Sequence, residues 1–202
     1  MDFSSNDKNE IFFVDGAERS LDDDCKDAFT SASAHFLELF GVNHEVDVYV
    51  SQRSILHKFD SNALAWHKPP SYNQNNSVVC VYVDPKSSLE EMMTSLAHEM
   101  IHVWQVDRGD LTGANWKGEN LSQLAYQFQP WEIEAHGNQD DIVEFFYNDT
   151  FPEKSFLSDI QKKTDMIFNE IVHEGMSILQ KDKLKKIGKL AATLGLGALL
   201  GM

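Results

Sequence analysis

Two histidines and a glutamate lie close together in one apolar segment of the sequence, at His98, Glu99 and His102. Because an α-helix turns once per 3.6 residues, side chains four positions apart project from the same face. Two imidazoles in that arrangement can bind one zinc ion, and the glutamate beside the first histidine then lies near a zinc-activated water. The spacing therefore predicts a hydrolytic zinc site, with His98 and His102 as metal ligands and Glu99 as the general base.

The residues around this motif favour a helix that faces a hydrophobic core. Ser87 and Ser88 precede it as candidate N-caps, and Gly109 is placed to end it. The alternative is an ordinary amphipathic helix with two surface histidines. Apolar residues recur at three- and four-residue steps along the segment, as expected for a buried helical face: Leu89, Met92, Met93, Leu96, Ala97, Met100, Ile101 and Trp104.

The composition indicates a folded and acidic protein. The chain has 202 residues, 42% of them hydrophobic, which is enough for one domain with a real core. Its formal net charge is −15; residues 181–202 carry +4, so the remainder carries −19. Nucleic-acid binding depends on Lys and Arg that neutralise phosphates, so this charge disfavours a nucleic-acid partner. We expect a protein or peptide substrate instead.

The sequence also suggests a compartment. Residues 1–10 are polar and lack the apolar stretch of a signal peptide, and no segment is long enough for a transmembrane helix. Cys25 and Cys80 do not indicate a disulfide framework. We therefore expect a cytoplasmic protein.

The order of helical and strand patterns predicts an α+β fold. Residues 21–40 have helical spacing, residues 46–50 alternate as in a half-buried strand, and residues 78–83 form an apolar strand before the histidine helix. A second helix is expected from Pro130, a favourable first helical residue, to about Tyr147. Helices gathered against a small sheet are typical of the α+β class.

We expect four parts along the chain. The short apolar patch at residues 11–14 can add a strand or dock loosely. The predicted division is a polar N-terminal arm at 1–20, a metal-binding domain at 21–150, a C-terminal helix packed on that domain at 151–180, and a basic and apolar tail at 181–202.

A catalytic zinc ion needs a third protein ligand and an open position. After His102, the second predicted helix offers carboxylates at Glu132 and Glu134. Two steps along a helix amount to about 200°, so only one of the pair can face the metal. His136 can donate an outer-shell hydrogen bond or lie at the surface, and Tyr126 can stabilise an oxyanion or pack.

Three sequence elements resemble a known peptidase family. They are the helix motif Leu-x-His-Glu-Met-x-His-x-Trp-Gln at 96–105, Trp116-Lys117, and Pro-Trp-Glu-x-Glu-Ala at 130–135. Over roughly residues 75–140 the chain resembles the gluzincin zinc metallopeptidases, and more narrowly the small SprT-like and phage-encoded metallopeptidases. The resemblance implies a zincin-like fold, with a small, mostly antiparallel sheet, a helix carrying His-Glu-x-x-His, and a following helix that carries the third ligand.

The resemblance also implies a function and a ligand. Gluzincins commonly place the third ligand in Glu-x-x-Ala, which corresponds to Glu132 and Ala135, so Glu132 is the first choice and Glu134 the alternative. The implied activity is that of a zinc metalloendopeptidase whose extended substrate lies along an edge strand, here residues 78–83 or 62–66. Many SprT-like proteins use a downstream histidine instead, and this departure weakens any inference toward their DNA-linked roles. A phage-encoded protein would act in the host cytoplasm or the virion.

The tail differs from the rest of the chain. Residues 181–189 are rich in Lys, and the uncharged run from Leu190 to Met202 is 13 residues long, short of the roughly 20 needed to span a bilayer. We expect it to contact the domain's own surface, a protein partner or a membrane surface. The tail also suggests an alternative function, that of a non-catalytic zincin-fold structural or interaction protein, such as a phage assembly component.

Overall fold

The computed structural model describes residues 9–52, 65–68, 76–83, 87–153 and 155–173. The chain divides into two compact units, Met1–Arg108 and Gly109–Met202. The predicted tail at 181–202 lies outside the described residues, as do residues 62–64 of the second substrate-strand candidate and residues 174–180 of the predicted C-terminal helix. Within the described residues, no helix is both long and apolar enough to cross a bilayer.

The first unit combines a four-stranded sheet with helices. Its elements in chain order are β1 (Glu10–Val14), α1 (Ala17–Ser20), α2 (Asp23–Phe40), β2 (Val46–Gln52), β3 (Ala65–Lys68), β4 (Ser77–Val83) and α3 (Leu89–Asp107). The described part of the chain is thus a mixture of helices and small sheets, which is consistent with the α+β class.

The four-stranded sheet has the order β1-β2-β4-β3 and is mostly parallel. Glu10 pairs with Asp47 and Val46 with Ser77 in the two parallel ladders, whereas β3 runs antiparallel to β4. The expected mostly antiparallel sheet is therefore wrong for this unit. Parallel neighbours need a crossover connection, and α2 supplies one between β1 and β2. The apolar patch at 11–14 lies in β1 and starts this crossover.

Local signals in the sequence set the limits of α2. Asp22 caps its start by accepting a hydrogen bond from the Cys25 backbone N–H at 2.8 Å. Gly41 ends it with φ at 61°, a left-handed conformation that glycine adopts without a Cβ clash. The helix packs against α3, and the Phe40 and Trp104 rings stack with centroids 5.1 Å apart. This contact anchors the C-terminal half of α3.

The core of the first unit lies between one face of its sheet and these helices. The buried side chains are mainly aromatic on α2, β-branched on the strands and mostly free of β-branching on α3. They include Phe29, Phe36, Phe40, Val46, Val48, Val50, Val79, Val81, Val83, Met93, Leu96, Met100 and Trp104. Val78 and Cys80 are only half-buried, so β4 is less completely covered than its apolar sequence suggests.

The second unit contains short strands and two long helices. Its elements are β5 (Leu111–Thr112), β6 (Asn115–Trp116), β7 (Glu119–Asn120), a 3-10 helix (Tyr126–Phe128), α4 (Pro130–Tyr147) and α5 (Ser155–His173). The three strands form an antiparallel sheet in the order β5-β6-β7. Helix α4 is continuous through Gly137 and begins at Pro130, as predicted.

A tight hairpin connects β6 and β7. Trp116 pairs with Glu119, so the turn consists of Lys117 and Gly118. Both have positive φ, 49° and 88°, as a two-residue hairpin turn of the primed type requires. Lys117 Nζ also contacts Asp165 Oδ1 at 2.6 Å, which ties this turn to α5. The Trp-Lys element of the sequence thus has a structural role at the hairpin.

Candidate metal centre

Helix α3 carries the His98, Glu99 and His102 side chains. A reciprocal capping box begins the helix: Ser88 Oγ accepts from the Glu91 N–H at 3.2 Å, and Glu91 Oε2 accepts from the Ser88 N–H at 2.8 Å. The start of the helix is therefore fixed, and the motif lies in its buried second half, with all three side chains less than a tenth exposed.

The two histidines of α3 face each other. His98 Nε2 and His102 Nε2 are 3.2 Å apart, and the ring planes are nearly perpendicular at 88°. This geometry follows from the four-residue spacing, which stacks the two side chains one turn apart. The two Nε2 atoms are therefore close enough together for one metal ion to reach both.

Gln105 orients the second histidine. Its Oε1 lies 2.7 Å from His102 Nδ1, and the Gln105 side chain is fully buried. Because an amide oxygen only accepts hydrogen bonds, His102 Nδ1 donates here. Sequence reasoning did not single out Gln105, although its position three residues after His102 places it on the same helical face.

The Glu99 carboxylate affects the pKa of Cys80 on β4. Burial and, secondly, the negative charge of Glu99 raise the pKa of the Cys80 thiol to about 12. A thiol with so high a pKa is protonated at neutral pH, which makes it a poor nucleophile.

Helix α4 carries the second set of candidate groups. His136 Nε2 lies 3.9 Å from Glu132 Oε2, one helical turn away, and the His136 side chain is 33% exposed while Glu132 is buried. The Tyr126 ring lies edge-on to the His136 ring, with centroids 6.2 Å apart, but Tyr126 is 55% exposed. Tyr126 is therefore close to a candidate ligand, and most of its surface faces solvent.

The candidate ligands form one pair in each unit. In the first unit, His98 and His102 lie one turn apart on α3, with their Nε2 atoms at 3.2 Å. In the second unit, Glu132 and His136 lie one turn apart on α4. The sequence analysis placed His136 in the outer shell or at the surface, and its four-residue spacing from Glu132 is the signal that indicates a shared face.

Glu134 lies in a different environment from Glu132. It is fully buried, and its backbone oxygen accepts from Asn138 Nδ2 at 2.6 Å. A rotation of about 200° separates the two glutamates on the helix. Of the two, Glu132 shares a helical face with His136, which favours it as the candidate ligand of the pair.

A second polar cluster in the first unit has the composition of a hydrolase triad. His44 Nε2 lies 2.8 Å from Ser77 Oγ, and His44 Nδ1 lies 2.7 Å from Asp107 Oδ1. A serine nucleophile must reach a substrate carbonyl, but Ser77 is 0% exposed. The cluster therefore acts as a clasp that connects the start of β4 to the end of α3.

Comparison with protein-family models, with curated proteins and with solved structures finds no match to this chain. The arguments about its function therefore depend on its own residues and their geometry.

Proposed function

We propose that this protein is a zinc-dependent endopeptidase of the gluzincin type with a zincin-like fold. The observation that carries the proposal is the 3.2 Å separation of His98 Nε2 and His102 Nε2 on one buried helix turn, with Glu99 beside them. The proposed ligands are His98, His102 and Glu132, which leaves one position of a tetrahedral site open for chemistry.

The donor set fits zinc. Zinc–nitrogen bonds of about 2.0–2.1 Å in a tetrahedral site place two nitrogens roughly 3.3 Å apart, close to the separation of the two Nε2 atoms. Two imidazoles and a carboxylate are ligands that zinc accepts, and a His₂Glu set is typical of catalytic rather than structural zinc. The proposed carboxylate is that of Glu132 on α4, a buried side chain beside His136 on the same helix.

The chain's own residues define the steps of hydrolysis. Zinc, when bound, supplies Lewis-acid polarisation and the activation of water. Glu99 accepts the proton of the attacking water and then donates it to the amine that leaves. The burial of Glu99 removes competing solvent from this transfer. Removing the Glu99 carboxylate should therefore lower the rate of hydrolysis and leave metal binding unchanged.

The sheet order suggests where an extended substrate would pair. Strand β4 has β2 on one side and β3 on the other, so both of its ladders are occupied. Of the two candidate strands, β3 lies at an edge of the described sheet. We therefore assign β-strand addition of a peptide to β3, residues Ala65–Lys68.

A zinc and cleavage assay tests the proposal. The purified full chain is loaded with zinc, dialysed and analysed by atomic absorption, and cleavage of a fluorescent casein is measured with and without a chelator. We expect stoichiometric zinc and chelator-sensitive cleavage. Bound zinc without cleavage of any protein substrate would favour the non-catalytic interaction protein. A chain that binds no zinc even at saturating zinc concentration would overturn both hypotheses.

The variant Glu99→Gln separates catalysis from metal binding. We expect it to keep zinc and to lose hydrolysis by about 10²–10⁴-fold, the usual effect of a general base. The matched control is Glu90→Gln, which makes the same change on an exposed residue in the first turn of α3. Full activity in Glu99→Gln would remove Glu99 from the mechanism.

A further inference from the structure

Gln105 lies at the end of the metal-binding motif and contacts one of the proposed ligands. Its Oε1 is 2.7 Å from His102 Nδ1, and its side chain is 0% exposed. Water therefore cannot replace this contact without a change in the packing of α3. A hydrogen bond between two buried polar groups offsets the cost of removing them from water, and here it fixes the orientation of the His102 ring.

The contact determines which nitrogen of His102 carries the proton. An amide oxygen has lone pairs but no hydrogen, so it requires an N–H at Nδ1. In a neutral imidazole the other nitrogen, Nε2, then keeps its lone pair. That atom is the one that lies 3.2 Å from His98 Nε2. Only an unprotonated nitrogen can bind a metal ion, so the tautomer that Gln105 selects is the one suited to binding.

We propose that Gln105 is a positioning residue that holds His102 in the Nδ1–H tautomer and aims its Nε2 lone pair at the metal position. The inference rests on the proposed function for its consequence, which is tighter metal binding, but the tautomer itself is a property of the protein alone. Gln105 touches neither substrate nor metal and acts through His102.

Nitrogen-15 NMR of histidine-labelled full chain, treated with a chelator, measures the tautomer directly. The His102 resonances are assigned by their loss in His102→Asn. We expect a protonated Nδ1 and an unprotonated Nε2 in the wild type and in Gln105→Glu, which keeps the acceptor. In Gln105→Leu we expect His102 to populate both tautomers. A wild-type His102 protonated at Nε2 overturns the proposal, whether or not the leucine variant folds.

Zinc competition with a chromogenic chelator measures the consequence. Gln105→Leu should weaken zinc binding by about 10–100-fold, the usual effect of losing an outer-shell partner, and Gln105→Glu should restore affinity. The control is Ser33→Ala, which removes a different buried side-chain hydrogen bond, from Ser33 Oγ to the Phe29 carbonyl on α2. It should lower stability without changing the zinc affinity.

The two measurements distinguish the failure of this inference from that of the proposed function. If the wild type binds no zinc but His102 is protonated at Nδ1, the tautomer assignment holds and the peptidase proposal fails. If the wild type binds zinc and Gln105→Leu binds it equally well, the positioning role of Gln105 is wrong and the peptidase proposal stands.

Discussion

His136 Nε2 lies 3.9 Å from Glu132 Oε2 across one turn of α4, the same four-residue spacing that relates His98 to His102 on α3. The proposed zinc site therefore has four candidate groups, whereas a catalytic zinc ion uses three protein ligands. If all four bound the metal, no position would remain for water, and the site would be structural. The identity of the third ligand thus decides between an enzyme and a zinc-stabilised scaffold.

The pair Glu132→Gln and Glu134→Gln tests the carboxylate ligand. We expect Glu132→Gln to weaken zinc binding by more than the roughly 10–100-fold that an outer-shell change causes, because it removes a charged ligand. Glu134→Gln makes the same change on a buried residue of the same helix, and this variant should bind zinc nearly as tightly as the wild type. Chelator competition measures both, and the reverse order would make Glu134 the ligand.

The pair His102→Ala and His136→Ala tests whether the coordination sphere stays open. We expect His102→Ala to lose zinc affinity as severely as Glu132→Gln. We expect His136→Ala to lose about tenfold, because a partly exposed histidine beside Glu132 orients that carboxylate without binding the metal. Titration with Co²⁺ and absorption spectroscopy would show the same difference. Equal losses in both variants would indicate four protein ligands and contradict the peptidase proposal.

Local sequence signals were enough to predict the helices that carry the site. Ser88 at the start of α3 and Pro130 at the start of α4 are recognised from residues within a few positions of each other, so these signals are visible in the chain. The face-to-face arrangement of His98 and His102 follows from helical spacing in the same way. These features depend on periods of three or four residues, which tertiary packing seldom changes.

Contacts between residues far apart in the sequence could not be predicted from local patterns. The alternating valines of β2 predict a half-buried strand but not whether it runs parallel or antiparallel to its neighbours. The parallel ladder is seen only in the structure, in the pairing of Glu10 with Asp47. The contact of His44 with Asp107 joins residues 63 positions apart and has no local signature. His136 is an intermediate case: its spacing from Glu132 was visible, but spacing alone cannot separate an outer-shell or surface histidine from a candidate ligand.

Asp107→Ala should destabilise the first unit. Asp107 Oδ1 accepts from His44 Nδ1 at 2.7 Å and from the Asn43 N–H at 3.3 Å, so its removal leaves both donors without this acceptor. We expect the free energy of unfolding to fall by about 1–3 kcal/mol, the usual cost of such a loss. Urea denaturation followed by circular dichroism measures it. The control Asp23→Ala removes a 97% exposed carboxylate that pairs with Lys26, and it should cost less. Equal effects would mean that the clasp does not stabilise the fold.

Cys80 should make stability depend on pH in the alkaline range. Burial and the Glu99 charge raise the pKa of Cys80 to about 12, whereas an unfolded cysteine has a pKa near 8.5. Below about pH 8.5 the thiol is protonated in both states, and its contribution to stability is fully present. Above that value unfolding releases a proton, so the free energy of unfolding falls as the pH rises toward 12.

The variant Cys80→Ser has no titrating group at this position, so its stability should decline less steeply than that of the wild type between pH 8.5 and 10.5. Urea denaturation at several pH values measures the two slopes. Cys25→Ser is the matched control: hydrogen bonding to Asp22, with burial second, also raises the pKa of Cys25, but that thiol is much less buried. Its removal should change the slope less. Parallel declines for the wild type and Cys80→Ser would show that the Cys80 thiol ionises as readily in the folded protein as in the unfolded chain, and that the Glu99 carboxylate does not act on it.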